Sequence, residues 1–295
     1  MKAIETHNLT KFYGKARGIC ELNLEVEPGE IFGFIGPNGA GKSTTIKTLL
    51  NFIHPTSGSA SILGLDVVRD TVQIKQKVGY IPSEVSYYDD MTAEQLLNYS
   101  ASFYSVDCHA RRNQLADQLE VELGRKIDDL SLGNRKKVAI VQALQHQPEV
   151  IILDEPTSGL DPLMQARFFE ILQEENRRGA TVFFSSHILS EVQRLCHRVA
   201  IIKEGRLVRV ETVERLRRSS YKRVRLQATD QVNLAELPGV QDVVRQENYL
   251  EFLFGGNLRE LLAVLASQEI ADIWLEDPSL EDVFMHYYER EGAEQ

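Results

Sequence analysis

Leu130-Ser131-Leu132-Gly133-Asn134 and, about one helix length downstream, Val150-Ile151-Ile152-Leu153-Asp154-Glu155-Pro156-Thr157-Ser158-Gly159-Leu160-Asp161 are the two stretches on which the fold turns. In the second stretch four apolar residues run straight into adjacent carboxylates. A short apolar run bounded by turn residues reads as a buried strand. Asp154 and Glu155 are therefore expected at the carboxyl edge of a sheet, where α/β proteins bind their ligands. Ser131 to Gly133 reads as a helix start, whose free backbone N–H groups and partial positive charge suit a phosphate. An Asp-Glu pair after a strand is, alone, usually a solvated loop start, so its meaning depends on what the rest of the chain supplies.

Upstream, Gly36-Pro37-Asn38-Gly39-Ala40-Gly41-Lys42-Ser43-Thr44 supplies a phosphate loop of the G-x-x-x-x-G-K-[ST] pattern, between an expected strand (Ile31 to Ile35) and an expected amphipathic helix (Lys42 to Phe52). The glycines let backbone N–H groups turn inward on phosphate oxygens, and the helix N-terminus adds its partial positive charge. Lys42 is expected to reach the β- and γ-phosphates, and Ser43 to offer its hydroxyl oxygen to Mg²⁺. With such a loop present, Asp154 is placed to hold Mg²⁺ through water. Glu155 is placed to orient or deprotonate an attacking water.

Around these motifs, Ala3 to Leu9 and Leu22 to Val26 read as strands, with Pro28-Gly29 as a turn signal. The breakers His54-Pro55 and Ser57-Gly58 close the helix after the phosphate loop, and a strand pair is expected around Ser59 to Leu63 and Val78 to Ile81. From Thr92 to His146 the pattern becomes helical, with Leu96, Leu97, Tyr99 and Phe103, then Leu115, Leu119 and Leu123, at helical spacing. Strand Val150 to Leu153, helix Pro162 to Arg178, strand Thr181 to Ser185, helix Ile188 to Cys196 and strand Val199 to Ile202 then alternate as a parallel sheet requires. A composition shift near Arg215 to Arg225 predicts a boundary, giving domains 1–215 and 216–295. Beyond it, strands Val224 to Ala228 and Tyr249 to Phe254 and helices Leu258 to Ser267 and Leu280 to Tyr288 predict a small α+β module.

Apolar content of 43% and charged content of 26% are those of a folded globular protein, and 295 residues suit one large domain with a smaller one. The three cysteines, Cys20, Cys108 and Cys196, lie far apart with no metal or redox spacing, which suits a reducing cytosol. The N-terminus lacks the apolar core of a secretory signal, and the apolar runs are far below the roughly 18 residues of a membrane span. If the protein works at a membrane, another chain is expected to cross it. A net charge of −10 argues against nucleic acid as a partner. The short basic clusters Arg135-Lys136-Lys137 and Arg215 to Arg225 read as solvated surface.

Taken together, residues from about Lys2 to Thr212 resemble an ABC ATPase, the nucleotide-binding domain of ABC transporters. The resemblance implies an α/β fold of the P-loop NTPase, ABC ATPase type: a parallel-sheet core, an antiparallel β subdomain and a helical subdomain over about 85–146, followed by the small α+β C-terminal domain. It implies that Tyr13 lies against adenine, that Ser131 and Gly133 form the signature loop, that Ser158 to Asp161 form the D-loop, and that His187 is the switch histidine clamping the γ-phosphate. ATP and Mg²⁺ are the implied cofactors. In the family the signature loop faces the phosphate loop of a second subunit, so one chain with one of each implies a homodimer that sandwiches two ATP molecules.

Three positions depart from the family pattern. Ser83 stands where the family has a glutamine that touches Mg²⁺ and water, Leu132 replaces the usual second glycine of the signature, and Asn134 replaces its glutamine. With Ser131 and Gly133 retained, phosphate contact is expected to survive. The tail Glu276-Asp277-Pro278-Ser279-Leu280-Glu281-Asp282-Val283-Phe284 is similar to the ending of ATPase subunits from ABC-2 type export systems, whose permease is a separate polypeptide. Read by itself, the same stretch is a capped amphipathic helix. The implied function is an ATP-hydrolysing subunit at the cytoplasmic face of the membrane that drives a separate permease, exporting a drug, peptide or lipid-like cargo. A soluble or regulatory ABC ATPase without a transport role is the alternative. Ribosome-acting relatives usually carry two such domains and DNA-repair relatives a long coiled-coil insertion, and neither is visible here.

Overall fold

A computed structural model of the protein describes residues 1–87, 90–217, 222–228, 234, 237–246, 249–268 and 270–276. The chain divides into two compact units, Met1–Glu211 and Thr212–Gln295. The first begins with β1 (Ile4–Tyr13), β2 (Ala16–Val26), β3 (Ile31–Ile35), α1 (Lys42–Leu49), β4 (Ser57–Ile62), β5 (Leu65–Asp66), α2 (Thr71–Lys77) and β6 (Val78–Ile81). Helices α3 (Ala93–Ala101), α4 (His109–Gln118) and α5 (Leu132–Leu144) follow. Then β7 (Val150–Asp154), α6 (Pro162–Arg177), β8 (Thr181–Ser186), α7 (Leu189–Leu195), β9 (Arg198–Lys203) and β10 (Arg206–Thr212) complete it.

Strands β3, β7 and β8 are buried along their whole length, as the central strands of a sheet covered on both faces must be. They lie in a sheet of order β10-β9-β3-β8-β7-β6, in which β3 pairs parallel with β8 and β9, and β7 parallel with β6 and β8. Phe183 packs its ring 6.0 Å from Phe32 and 5.2 Å from Phe34 between these strands. Each such ring contributes about 1.5–3 kcal/mol by leaving water. The second sheet, order β2-β1-β4-β5, is antiparallel.

The expected pairing of Ser59 to Leu63 with Val78 to Ile81 is not what forms. Strand β4 pairs with β1 and β5, whereas β6 lies beside β7 in the other sheet. Between them runs α2, a helix of about two turns with one buried residue, Ile74, and too few apolar positions to show a helical period. Strands β1 and β2 also extend well past the expected Leu9 and start well before Leu22. Bulges break the register after Thr6, Leu9 and Lys11, with Asn8 (φ 47°) and Glu21 (φ 50°) in the left-handed region, so the alternation that marks a strand is lost there.

Helix α3 opens with a capping box: Thr92 Oγ1 accepts from Gln95 N–H, and Gln95 Oε1 accepts from Thr92 N–H. Buried Arg111 of α4 pairs with buried Glu175 of α6, which also meets Arg178 at 3.2 Å, so the helical segment is tied to the sheet-flanking helix by charge. In α5 the expectation of a solvated basic cluster fails at its middle residue: Lys136 is 2% exposed.

The second unit contains α8 (Val213–Arg217), β11 (Lys222–Ala228), β12 (Val240–Gln246), β13 (Tyr249–Phe254), α9 (Leu258–Leu265) and β14 (Ile270–Glu276). Its sheet, order β12-β13-β11-β14, is antiparallel, and Val224, Leu226, Leu250, Phe252 and Phe254 form a core with Leu261 and Leu265 of α9. Strands β12 and β14 carry Asp, Gln and Glu among exposed positions, which hid them from a reading by apolar pattern. The helix expected over Leu280 to Tyr288 lies outside the described residues.

Candidate functional site

Gly36 to Gly41 connects β3 to α1 as a loop that folds back on Lys42, the first residue of the helix. Gly41, the residue before α1, has φ 108°, and a Cβ there would stand 2.9 Å from the Gly18 carbonyl oxygen, so this position admits glycine alone. Lys42 is almost fully buried. Its Nζ donates to the Gly36 carbonyl (2.7 Å) and the Pro37 carbonyl (3.2 Å) and stands 3.2 Å from Glu155 Oε1. Ala40 is buried and donates its N–H to the Pro37 carbonyl, closing the loop. A pocket of about 190 Å³ opens here, lined by Asn38, Gly39, Gly41, Lys42, Ser43 and Thr44, with Tyr13, Arg17, Gly18 and Glu155 around it.

Asp154 ends β7 completely buried. Its Oδ1 accepts a 2.9 Å hydrogen bond from Ser185 Oγ on neighbouring β8, and its Oδ2 has no partner among the described residues. A carboxylate oxygen is not left bare in a protein interior without a reason, and Mg²⁺ takes one or two carboxylates and completes its shell with water and phosphate. Among the described residues no group of three His, Cys, Asp or Glu side chains forms a metal site by protein alone. The donor set Asp154 and Ser43 therefore fits Mg²⁺ carried with a nucleotide.

Glu155 adopts φ 46°, a left-handed conformation that costs a non-glycine residue about 1–2 kcal/mol. That turn is held because Glu155 N–H donates to both the carbonyl and Oγ of Ser185, each at 3.2 Å. Its effect is to aim the side chain back over the phosphate loop, where Oε1 lies 3.3 Å from His187 Nδ1 as well as beside Lys42. Burial works to raise the Glu155 carboxyl, but the hydrogen bonds and charges of Lys42 and His187 outweigh it and leave it below the usual carboxylate range. A carboxylate kept ionised beside a phosphate pocket can orient or deprotonate water.

The other expected residues stand apart from this cluster. Ser131 caps α5, its Oγ accepting from Asn134 N–H at 3.3 Å. Gly133 lies so close to the D-loop that a Cβ there would sit 2.8 Å from the Gly159 carbonyl oxygen. Asp161 caps α6, its Oδ1 accepting from the N–H groups of Leu163 and Met164 at 3.0 Å each. Leu132, at the second signature position, is 65% exposed. Ser83 does not line the phosphate pocket; its carbonyl accepts from Lys136 Nζ at 3.2 Å, as the Pro82 carbonyl does at 2.7 Å. Burial pushes the Lys136 ammonium down to about 8, against the pull of Asp154 and Glu155.

Three residues of this neighbourhood escaped the sequence reading. Ser185 was legible only as the residue of β8 opposite Asp154, a pairing that needs the sheet register. Arg17 sits in a bulged strand far from the loop in sequence, and Lys136 was concealed by its basic neighbours. A larger cleft, about 610 Å³, lies away from the phosphate pocket between the sheet and the helical segment, and it is walled by Phe52, Tyr80, Tyr87, Tyr99, Phe103 and Tyr104. Among the described residues no helix is long and apolar enough to cross a membrane.

Comparison with known proteins gives this geometry a family context. Residues 19–158 match the ABC transporter family model, and residues 212–288 match a model described as ATP-binding protein DrrA1-3-like, C-terminal domain. The bacitracin transport ATP-binding protein BcrA of Bacillus licheniformis is 37% identical over 236 residues, covering 77% of this chain and 76% of the relative. The linearmycin resistance ATP-binding protein LnrL of Bacillus subtilis is 34% identical, covering 71% of this chain and 69% of the relative. Among solved structures, an ATP binding subunit of an ABC transporter superposes with a TM-score of 0.70 at 31% identity, over 73% of this chain and 92% of that one. The dimeric ATP-binding cassette MJ0796, in a post-hydrolysis state with ADP and Pi, superposes with a TM-score of 0.65 at 25% identity, over 71% and 98%.

Proposed function

This chain belongs to the ABC transporter family as an ATP-binding, ATP-hydrolysing subunit, and from that premise we propose that it powers a separate export permease by closing as a homodimer on two ATP molecules. The observation that carries the reading is the cluster of Lys42, Asp154, Glu155, Ser185 and His187 beside the phosphate loop, with one Asp154 oxygen that has no partner among the described residues. Lys42 exchanges the Gly36 and Pro37 carbonyls for phosphate oxygens, and the N–H groups from Gly36 to Thr44 cradle the chain of phosphates. Tyr13 stacks on the base. Ser43 and Asp154 would hold Mg²⁺, which neutralises phosphate charge when bound. The Ser83 loop approaches from the metal side through its backbone, since its side chain is too short to replace a glutamine. Glu155 orients and deprotonates the attacking water, and His187 holds the γ-phosphate side of the pocket.

Ser131 and Gly133 serve the ATP of the partner copy, whereas the stretch from Val150 to Asp161 serves the chain's own. Ser131 caps its own helix start, and neither Ser131 nor Gly133 lines the phosphate pocket of the same chain. We assign the domain boundary to the junction near residue 215, with 216–295 as an accessory domain. The aromatic cleft receives a short amphipathic helix of the permease, which keeps the subunit at the inner face of the cell membrane. Relatives named for bacitracin transport and linearmycin resistance support export of an antibiotic-like cargo.

Glu155→Gln is the direct test. It keeps the size of the side chain and removes the base, so turnover is expected to fall by a factor of at least ~100 while an ATP-bound dimer accumulates, measured by phosphate release and light scattering. Hydrolysis at the wild-type rate removes Glu155 from this role. Stimulation of the ATPase by the permease in lipid separates transport from a stand-alone regulatory role, and its absence counts against transport.

A further inference from the structure

Lys136 is a buried ammonium with no carboxylate in direct contact among the ion pairs described; both of its described hydrogen bonds go to the backbone carbonyls of Pro82 and Ser83. Burying a charge on carbonyls alone is costly, and an apolar residue would fill the same helix position without that cost. What the ammonium does instead is join two pieces of chain 53 residues apart. The first is α5, whose start is Ser131 and Gly133 and whose later turns, at Ala139, Gln142 and Ala143, wall the aromatic cleft. The second is the segment leaving β6, in which Pro82, Val85 and Tyr87 wall the same cleft and whose strand lies beside the one ending in Asp154.

We propose that Lys136 is a positioning residue for ATP hydrolysis: it fastens the backbone of the Ser83 loop to the signature helix, so that the loop, the signature end and the cleft wall shift as one body. The proposal rests on the assignment of Asp154 and Glu155 to the hydrolysis site and of the Ser83 loop to its metal side. Because Ser83 has no long amide to reach the site, the loop acts through where its backbone stands, and that is what Lys136 sets. The tether also gives an occupant of the cleft a direct grip on the signature end of α5.

The test compares Lys136→Met, which keeps the stem and loses the donors, with Lys136→Arg, which keeps charge and donors. Nucleotide affinity, kcat, and hydrogen exchange of residues 83–87 are measured on the full chain, with Glu155→Gln alongside. The expected result for Lys136→Met is ATP affinity changed by less than about twofold, kcat lowered about tenfold, and faster exchange confined to 83–87, with Lys136→Arg restoring most of the rate. The proposal is overturned if Lys136→Met exchanges faster in the loop but hydrolyses normally. It is also overturned if affinity, rate and melting temperature fall together in both variants, since that marks a general packing role. A fast Glu155→Gln would sink the site assignment itself, whereas a slow Glu155→Gln beside a fast Lys136→Met sinks the tether alone.

Discussion

The carboxyl edge of the parallel sheet and helix α5 handle polar groups in opposite ways. At the edge, Lys42, Asp154, Glu155, Ser185 and His187 come from the ends of two strands, β7 and β8, and from the end of the phosphate loop, and they hold one another by charge and hydrogen bonds. Along α5 the polar groups do not gather. Ser131 is exposed at the cap, Lys136 is buried on carbonyls, and His146, just beyond the end, is buried against Tyr104. The edge is a cluster assembled inside one chain. The start of α5 is a surface, and in the proposed homodimer it is the part that faces the phosphate of another copy.

The largest effect separating the two comes from mixing inactive chains. Lys42→Ala disables the edge, and Ser131→Glu sets a carboxylate where phosphate is expected while still favouring the helix start. Each variant alone is expected to lose at least ~100-fold in ATPase activity, within the range that such positioned groups contribute. In a head-to-tail dimer, however, one site of each mixed pair joins an intact edge to an intact signature. With random pairing, about one quarter of the wild-type rate should return on mixing. No recovery at any ratio, with mixed dimers demonstrated by differential tagging, would mean that Ser131 serves its own chain.

A smaller effect is expected within the edge. Ser185→Ala removes the hydroxyl that donates to Asp154 Oδ1 and accepts from Glu155 N–H, while the backbone bond from Glu155 N–H to the Ser185 carbonyl remains. Leaving a buried carboxylate oxygen without its donor costs about 1–3 kcal/mol. Both the melting temperature and kcat should therefore fall, kcat by about tenfold. A loss of stability with an unchanged kcat would show that Ser185 supports the fold and not the aim of the carboxylates.

The same contrast explains what could be read without a structure. Phosphate loop, Asp154, Glu155 and His187 are contiguous motifs on strand ends, and strand ends of a parallel sheet share one edge by topology. Ser185 and Lys136 act across the chain, on partners 31 and 53 or 54 residues away, and no local pattern announces such a bond. Lys136 was concealed further by Arg135 and Lys137, which make a buried cation look like a solvated run. The bulged halves of β1 and β2, the polar edge strands β12 and β14, and the short α2 were missed because each breaks the periodicity by which elements are recognised.

The smallest effect is one of stability alone, and it asks whether the far end of α5 is as dry as its middle. His146 stacks on Tyr104 with ring centroids 3.8 Å apart, and burial pushes its imidazole down to about 4. In the unfolded chain the same ring titrates near 6.5. Between these values the unfolded state binds more protons than the folded one, so the contribution is complete above about pH 6.5 and is lost as pH falls towards 4. At pH 5 the deficit amounts to roughly 2 kcal/mol relative to pH 8. His146→Phe keeps an aromatic ring on Tyr104 and removes the titration, so the melting temperature of the wild type should drop more steeply than that of the variant between pH 7 and 5. Parallel curves for the two proteins would mean that the imidazole protonates without leaving its place, and that water reaches this end of the helix.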